Sequence, residues 1–230
     1  MMRKVTAVVL AAGKGSRMNS DIPKQYLTLL GKPVLFYSLQ AFANSDVDEI
    51  ILVTGSGEQE YCKKEIIEKY QIDKVTHIVE GGAERYHSVH RGLLAAEDAD
   101  YVLIHDGARP LISTEVINQA ITHVKETGAC VVGMPVKDTI QLVDEQGAIC
   151  STPDRRRTWI AQTPQCFDYK LALSSYNKAI SCGDSTITDD AMVVQRYGSA
   201  KVTMLEGGYE NIKVTTPEDI EVAECFLKIR

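Results

Sequence analysis

A chain of 230 residues, 44% hydrophobic and 24% charged, can form one α/β domain with a sizeable core. Its 25 basic and 31 acidic residues leave a net charge of −6. That argues against a general nucleic-acid binder, and no segment has the apolar length to span a bilayer.

The six cysteines, Cys62, Cys130, Cys150, Cys166, Cys182 and Cys225, are scattered and form no Cys-x-x-Cys pair. The N-terminal apolar run is short and passes straight into Gly-Lys-Gly-Ser-Arg, which suits a first core strand better than a secretory signal. Reduced thiols in a cytoplasmic enzyme are expected.

The apolar run VTAVVLA (5–11) opens into a long loop carrying Gly13, Gly15, Arg17 and Lys24. Helical patterns near 34–44, 58–70, 84–98 and 114–127 then alternate with apolar runs at 49–55, 75–81, 100–107 and 129–136. Thr114 reads as the N-cap of the fourth helix and Gly128 as its stop. Continuous apolar strands separated by helices predict a mostly parallel sheet covered on both faces, and right-handed crossovers make it a doubly wound, Rossmann-like α/β fold.

The alternation breaks after Val136. The segment at about 137–158 has strand-like pieces around an Asp-Glu-Gln-Gly turn at 144–147, which predicts a protruding β-hairpin arm. Helical patterns return at 168–182 and 188–197, followed by a strand at 201–205. The last helix is expected from Thr215 or Thr216, with Pro217 in its first turn. No repeat or linker interrupts residues 1–230, so one domain with an arm is expected.

Ligands of open α/β sheets bind beyond the carboxyl ends of the strands. The loop after the first strand matches neither Gly-x-Gly-x-x-Gly, since Met18 stands at the third glycine position, nor the Walker phosphate loop. Glycines that let backbone N–H groups approach phosphate, with Arg17 and Lys24 adding charge, fit an anion cradle; a solvated surface turn is the plainer alternative. GGAERYHSV (81–89) reads as a strand-to-helix turn. His87 and His90, three apart, are expected to be ordinary helix histidines.

Asp106 in HDGARP (105–110) stands at the carboxyl end of a strand, where it either binds a metal or substrate hydroxyl or merely caps an Asp-Gly turn. Arg155, Arg156 and Arg157 read as a solvated face. Asp189 and Asp190 are candidate helix caps, and Lys213 is a candidate salt-bridge partner in an acid-rich tail.

LAAGKGSRM…PKQYL resembles the signature of sugar- and alditol-phosphate nucleotidyltransferases. Taken with GGAERYHSV, HDGARP, PVKDT (135–139), WIAQTPQCF (159–167), TITDDA (186–191) and NIKVTTPEDI (211–220), the chain resembles the 2-C-methyl-D-erythritol 4-phosphate cytidylyltransferases over nearly its whole length.

The resemblance implies transfer of CMP from CTP to a polyol phosphate with loss of pyrophosphate. It assigns CTP binding to Ala11, Ala12, Gly13, Gly15, Gly82, Ala83 and Ser88, and catalysis to Arg17, Lys24, Asp106 and Lys213. The polyol phosphate falls to Arg109, Thr139, Arg155, Thr163 and Thr188, with Thr139 and Arg155 reaching a second subunit through the arm. It also implies a homodimer and Mg²⁺ held mainly by the CTP phosphates near Asp106, with no separate protein metal site.

A ribitol 5-phosphate cytidylyltransferase shares the opening loop and the HD-x-x-RP and TPQ elements. A non-catalytic nucleotide-binding module would not need Arg17, Lys24 and Asp106 together.

Overall fold

A computed structural model describes residues 3–13, 18, 22–184 and 186–229. The first strand, β1 (Val5–Ala11), alternates its side chains between two apolar layers. After it come a short hairpin of β2 (Thr28–Leu29) and β3 (Lys32–Pro33), helix α1 (Val34–Ala43) and strand β4 (Glu49–Thr54). Helix α2 (Gln59–Tyr61) continues as a π-helical stretch, Cys62–Glu68, into β5 (Val75–Glu80). Next are α3 (Arg85–Ala95), β6 (Tyr101–Asp106), α4 (Thr114–Thr127) and β7 (Ala129–Pro135). The arm holds β8 (Leu142–Val143) and β9 (Ile149–Ser151). The chain then runs through β10 (Trp159–Asp168), α5 (Tyr169–Cys182), α6 (Asp190–Gly198), β11 (Thr203–Glu206) and α7 (Glu218–Ile229).

Seven strands form the main sheet in the order β11-β7-β10-β6-β1-β4-β5. β10 is antiparallel to both its neighbours, and the other pairings are parallel. Val5, Ala7, Val9 and Ala11 face one layer with Leu35, Leu39 and Phe42 of α1 and Ile117, Ile121 and Val124 of α4. The opposite layer joins Ile51, Val102, Ile104 and Phe167 to Val89 and Leu93 of α3, Tyr176 of α5 and Val193 of α6. A third cluster, Leu29, Val34, Leu111, Val214 and Ala223, seats α7 on the β2–β3 hairpin. Each fully buried Leu, Ile or Phe adds roughly 1.5–3 kcal/mol of transfer free energy. The doubly wound, mostly parallel sheet with a hairpin outside it is the architecture the sequence predicts.

Two local expectations are corrected. Ser113, not Thr114, caps α4: its hydroxyl accepts from Val116 N–H at 3.2 Å. Gly128 ends that helix as expected, in the left-handed region at φ 75°. The last helix begins at Glu218, with Pro217 ahead of it, because the Asp219 carboxylate reaches back to accept the N–H groups of Thr215 and Thr216, both at 2.8 Å. β10, a strand not among those expected from the sequence, lies in the middle of the sheet. Its pairing with β7 shifts register between Ala161 and Gln165, which accommodates Pro164 inside a central strand.

Candidate active site

β1, β4, β5 and β6 all end at one edge of the sheet, and a cleft of about 1060 Å³ opens there. The ends of β1 and β5 form its walls. They approach so closely that a Cβ on Gly81 would stand 2.5 Å from the Ala12 methyl and 2.7 Å from Ser88 Oγ, so only glycine fits. The Ser88 hydroxyl accepts from Gly82 N–H at 3.0 Å and donates to the Glu84 carbonyl at 3.2 Å. It thereby fixes the glycine turn as well as lining the cleft. Ala11, Ala12, Gly13, Gly82, Ala83 and Ser88 all line this space. Gly15 and Arg17 lie outside the described residues.

The floor is a charge cluster centred on Asp106. Lys213 Nζ stands 2.8 Å from Oδ2, Arg85 Nε 3.2 Å from Oδ1, and Arg109 Nε 3.8 Å from Oδ2. Burial pushes the Asp106 pKa up, but Arg85, Lys213 and Arg109 together outweigh burial and hold it far below the ordinary carboxylate range. Asp106 is therefore a fixed anion. Its backbone N–H donates to Thr163 Oγ1 at 3.1 Å, and the same hydroxyl meets His105 Nδ1 at 3.0 Å. Burial lowers the His105 pKa to about 3, which keeps its ring neutral beneath the floor.

Lys24 and Lys213 both line the cleft. Lys24 Nζ donates to the Val214 carbonyl at 2.9 Å, so the two cations approach the same short segment. For Lys213, the salt bridge and the place in the pocket are one arrangement. Thr163 and Arg109 stand behind the floor, not along the cleft wall. Thr163 is buried, and Arg109 donates to the Asn211 carbonyl at 2.8 Å.

Thr188 is exposed ahead of α6, Thr139 is exposed in the arm, and Arg155 sits at the arm's base, donating to the Lys137 carbonyl at 3.2 Å. These three do not line this chain's own cleft. Arg156 pairs locally with Asp154 and is largely exposed.

Several residues of the site carry no individual signal in the sequence. Gln25 donates to the Ala11 carbonyl at 2.7 Å and ties the far end of the opening loop to β1. Tyr26 donates to Glu58 at 2.7 Å, and Glu58 also accepts from Gly55 N–H at 3.0 Å. Arg85 lies inside a quoted motif, but its partner Asp190 is 105 residues away, a pairing no local pattern reveals. Of the two candidate caps, Asp189 caps α6, accepting from Met192 N–H at 2.8 Å, while Asp190 is fully buried.

Among the described residues no group of three or more His, Cys, Asp or Glu side chains could hold a metal ion. Asp106 offers one carboxylate, already shared among three cations.

Backbone of Ala11–Gly13, the Gly82–Ala83 turn and a buried anion–cation cluster at the carboxyl edge of an α/β sheet fit an enzyme that binds a nucleotide. The family model described as IspD, 2-C-methyl-D-erythritol 4-phosphate cytidylyltransferase, matches residues 5–229. A relative of that name in Lachnoclostridium phytofermentans is 52% identical over 227 residues, covering 99% of this chain and 97% of that protein. One in Lachnospira eligens is 50% identical over 226 residues, covering 97% and 99%. The 4-diphosphocytidyl-2C-methyl-D-erythritol synthase structure from Anaerococcus prevotii superimposes with a TM-score of 0.86 at 33% identity, covering 98% of this chain and 96% of that one. The chain belongs to the 2-C-methyl-D-erythritol 4-phosphate cytidylyltransferase family.

Proposed function

We propose that the chain transfers the CMP unit of CTP to 2-C-methyl-D-erythritol 4-phosphate. A phosphate oxygen of the polyol phosphate attacks the α-phosphorus of CTP. The bond to the β-phosphate breaks and pyrophosphate leaves, giving 4-diphosphocytidyl-2-C-methyl-D-erythritol. The observation that carries this reading is the ionised Asp106, held by Lys213, Arg85 and Arg109 on the floor of a cleft lined by Ala11–Gly13 and the Gly82–Ala83 turn.

With no covalent enzyme intermediate, the chain's task is to align two anions and stabilise charge on the transferring phosphoryl group. Backbone groups of Ala11–Gly13 and of the Gly82–Ala83 turn suit a triphosphate and a pyrimidine edge. Lys24, with Arg17 and Gly15 of the opening loop, meets the charge developing on the phosphates. Lys213 and Asp106 hold the reacting end of the acceptor. Mg²⁺ bound to the triphosphate supplies charge neutralisation, with Asp106 the nearby protein carboxylate. Thr163 and Arg109 support Asp106 from behind and bear on the polyol through it.

Residues 1–230 act as one nucleotidyltransferase domain in this reading. The arm at 137–158 carries Thr139 and Arg155 into a partner's polyol pocket, and Thr188 faces that pocket from its own chain. The protein is then a homodimer. The scattered cysteines, all six free, fit a cytoplasmic enzyme in this reading.

The test is pyrophosphate release from CTP and Mg²⁺ with 2-C-methyl-D-erythritol 4-phosphate and ribitol 5-phosphate offered in parallel. Faster turnover of the first is expected; faster turnover of the second overturns the acceptor assignment, and CTP binding without turnover leaves only a binding module. Lys24→Ala should lower kcat about thirtyfold, or about 2 kcal/mol of transition-state stabilisation, with little change in the KM for CTP.

A further inference from the structure

Four of the quoted motifs meet in one network that runs from the floor of the cleft, where Arg85 and Asp106 line it, to the buried Asp190 behind. Arg85, from GGAERYHSV, donates through its two terminal nitrogens to Asp190 of TITDDA, at 2.7 Å to Oδ1 and 2.9 Å to Oδ2, while its Nε reaches Asp106 of HDGARP at 3.2 Å. The Tyr176 hydroxyl donates to the same Asp190 Oδ1. Gln165, from WIAQTPQCF, accepts from Ala191 N–H at 2.7 Å and donates to Asp189 Oδ2 at 3.4 Å.

Two features set this bridge apart from a surface ion pair. Asp190 is fully buried, and a buried carboxylate is costly unless its geometry is good and its lone pairs are met. Arg85 is the first residue of α3, where the helix dipole disfavours a cation, so that position is tolerated only because two carboxylates face it. Asp190 is the first residue of α6, two residues after Thr188. The bridge thus joins two helix N-termini across the carboxyl edge of the sheet, and its third contact is the anion at the centre of the floor.

We propose that Asp190 is a positioning residue that acts through Arg85 on Asp106, locking the Thr188 loop to the floor of the cleft. The forked guanidinium is what makes the lock: three of its donors point at two carboxylates on different elements, a geometry a lysine ammonium does not reproduce. Asp190 touches no substrate. The acceptor side of the cleft depends on it most, because Ser88, on the same helix as Arg85, gives the nucleotide turn a hydrogen bond of its own.

The inference rests on the reading above for its substrates. The experiment is steady-state kinetics and thermal unfolding of the wild type, Asp190→Asn, Arg85→Lys and the double variant, with CTP and each polyol phosphate. Each single variant should lower kcat about tenfold or more and raise the KM for the polyol phosphate severalfold, with the KM for CTP within about twofold. The double variant should be no worse than the worse single one, since both break one bridge.

Folded variants with a lower Tm but wild-type kcat and KM overturn the inference, as do losses that simply add. If Asp190→Asn does not fold, Arg85→Lys decides, because it keeps the charge and removes only the fork. Wild-type turnover with unaltered variants refutes the bridge alone, whereas a wild type that turns over neither polyol phosphate overturns the functional reading and the inference together.

Discussion

The cleft floor and the arm both carry arginines, carboxylates and apolar residues, yet they are built in opposite ways. On the floor, Asp106 is nearly buried and three cations from three different segments converge on it. In the arm, Arg156 is 87% exposed and pairs with an aspartate two residues away, while Leu142, Val143 and Ile149 leave 52%, 56% and 65% of their surface open. An exposed ion pair of that kind adds little stability, and an isolated two-stranded hairpin is marginal. The floor is completed by its own chain. The arm has the composition of half an interface, which is why a second copy is the partner proposed for it.

The largest expected effect is at the floor. Asp106→Asn removes the charge on which three cations converge, and kcat/KM should fall by about 3 kcal/mol, or roughly a hundredfold, in the pyrophosphate-release assay. The acid response follows from the sign of its shift. The folded carboxyl is held below its unfolded range, so its stabilisation is fully present above about pH 4 and is lost only as the pH falls toward the lowered value. A rate that titrated between pH 5 and 8 and went flat in Asp106→Asn would contradict a permanently charged Asp106.

His105, directly beneath, behaves differently. Its folded pKa of about 3 lies below the unfolded value of about 6.5, so the unfolded chain takes up the proton first as the pH drops. Stability should fall by about 2 kcal/mol between pH 7 and pH 5 from this residue alone. Denaturant unfolding of His105→Gln at the two pH values should lack most of that difference.

The arm gives the smaller effects. Ile149→Asp should shift the equilibrium toward monomer by about tenfold in dissociation constant, read by sedimentation, with the monomer's own unfolding nearly unchanged. A dimer of undiminished strength would remove the arm from the interface. Arg155→Ala should raise the KM for the polyol phosphate severalfold, about 1 kcal/mol, without moving the KM for CTP. An unaltered polyol KM would count against its reaching a partner's pocket.

What the sequence discloses follows the range of the interactions. The parallel strands and their helices are legible because apolar runs and helical spacing are local, and Gly128 stops α4 at the residue expected. β10 is not, since a proline in its middle argues against a central strand and the bulge that absorbs it is set by two neighbouring strands. Asp106 and Lys213 stand out as isolated charges, whereas the Arg85–Asp190 bridge spans 105 residues and leaves no periodic trace. Ser113 loses to Thr114 in the reading only because both are good caps one residue apart.

β10 begins with Trp159 opposite Pro135, where the arm departs, and four residues later presents Thr163 to the Asp106 backbone. A short stretch of one bulged strand therefore separates the arm's root from the clamp beneath the anion. Thr163 falls inside the register shift between Ala161 and Gln165, so the bulge and not plain alternation aims its hydroxyl at Asp106. The link between the arm's root and the cleft runs through the five positions 159–163, so a change of length there would reach the clamp on Asp106 directly.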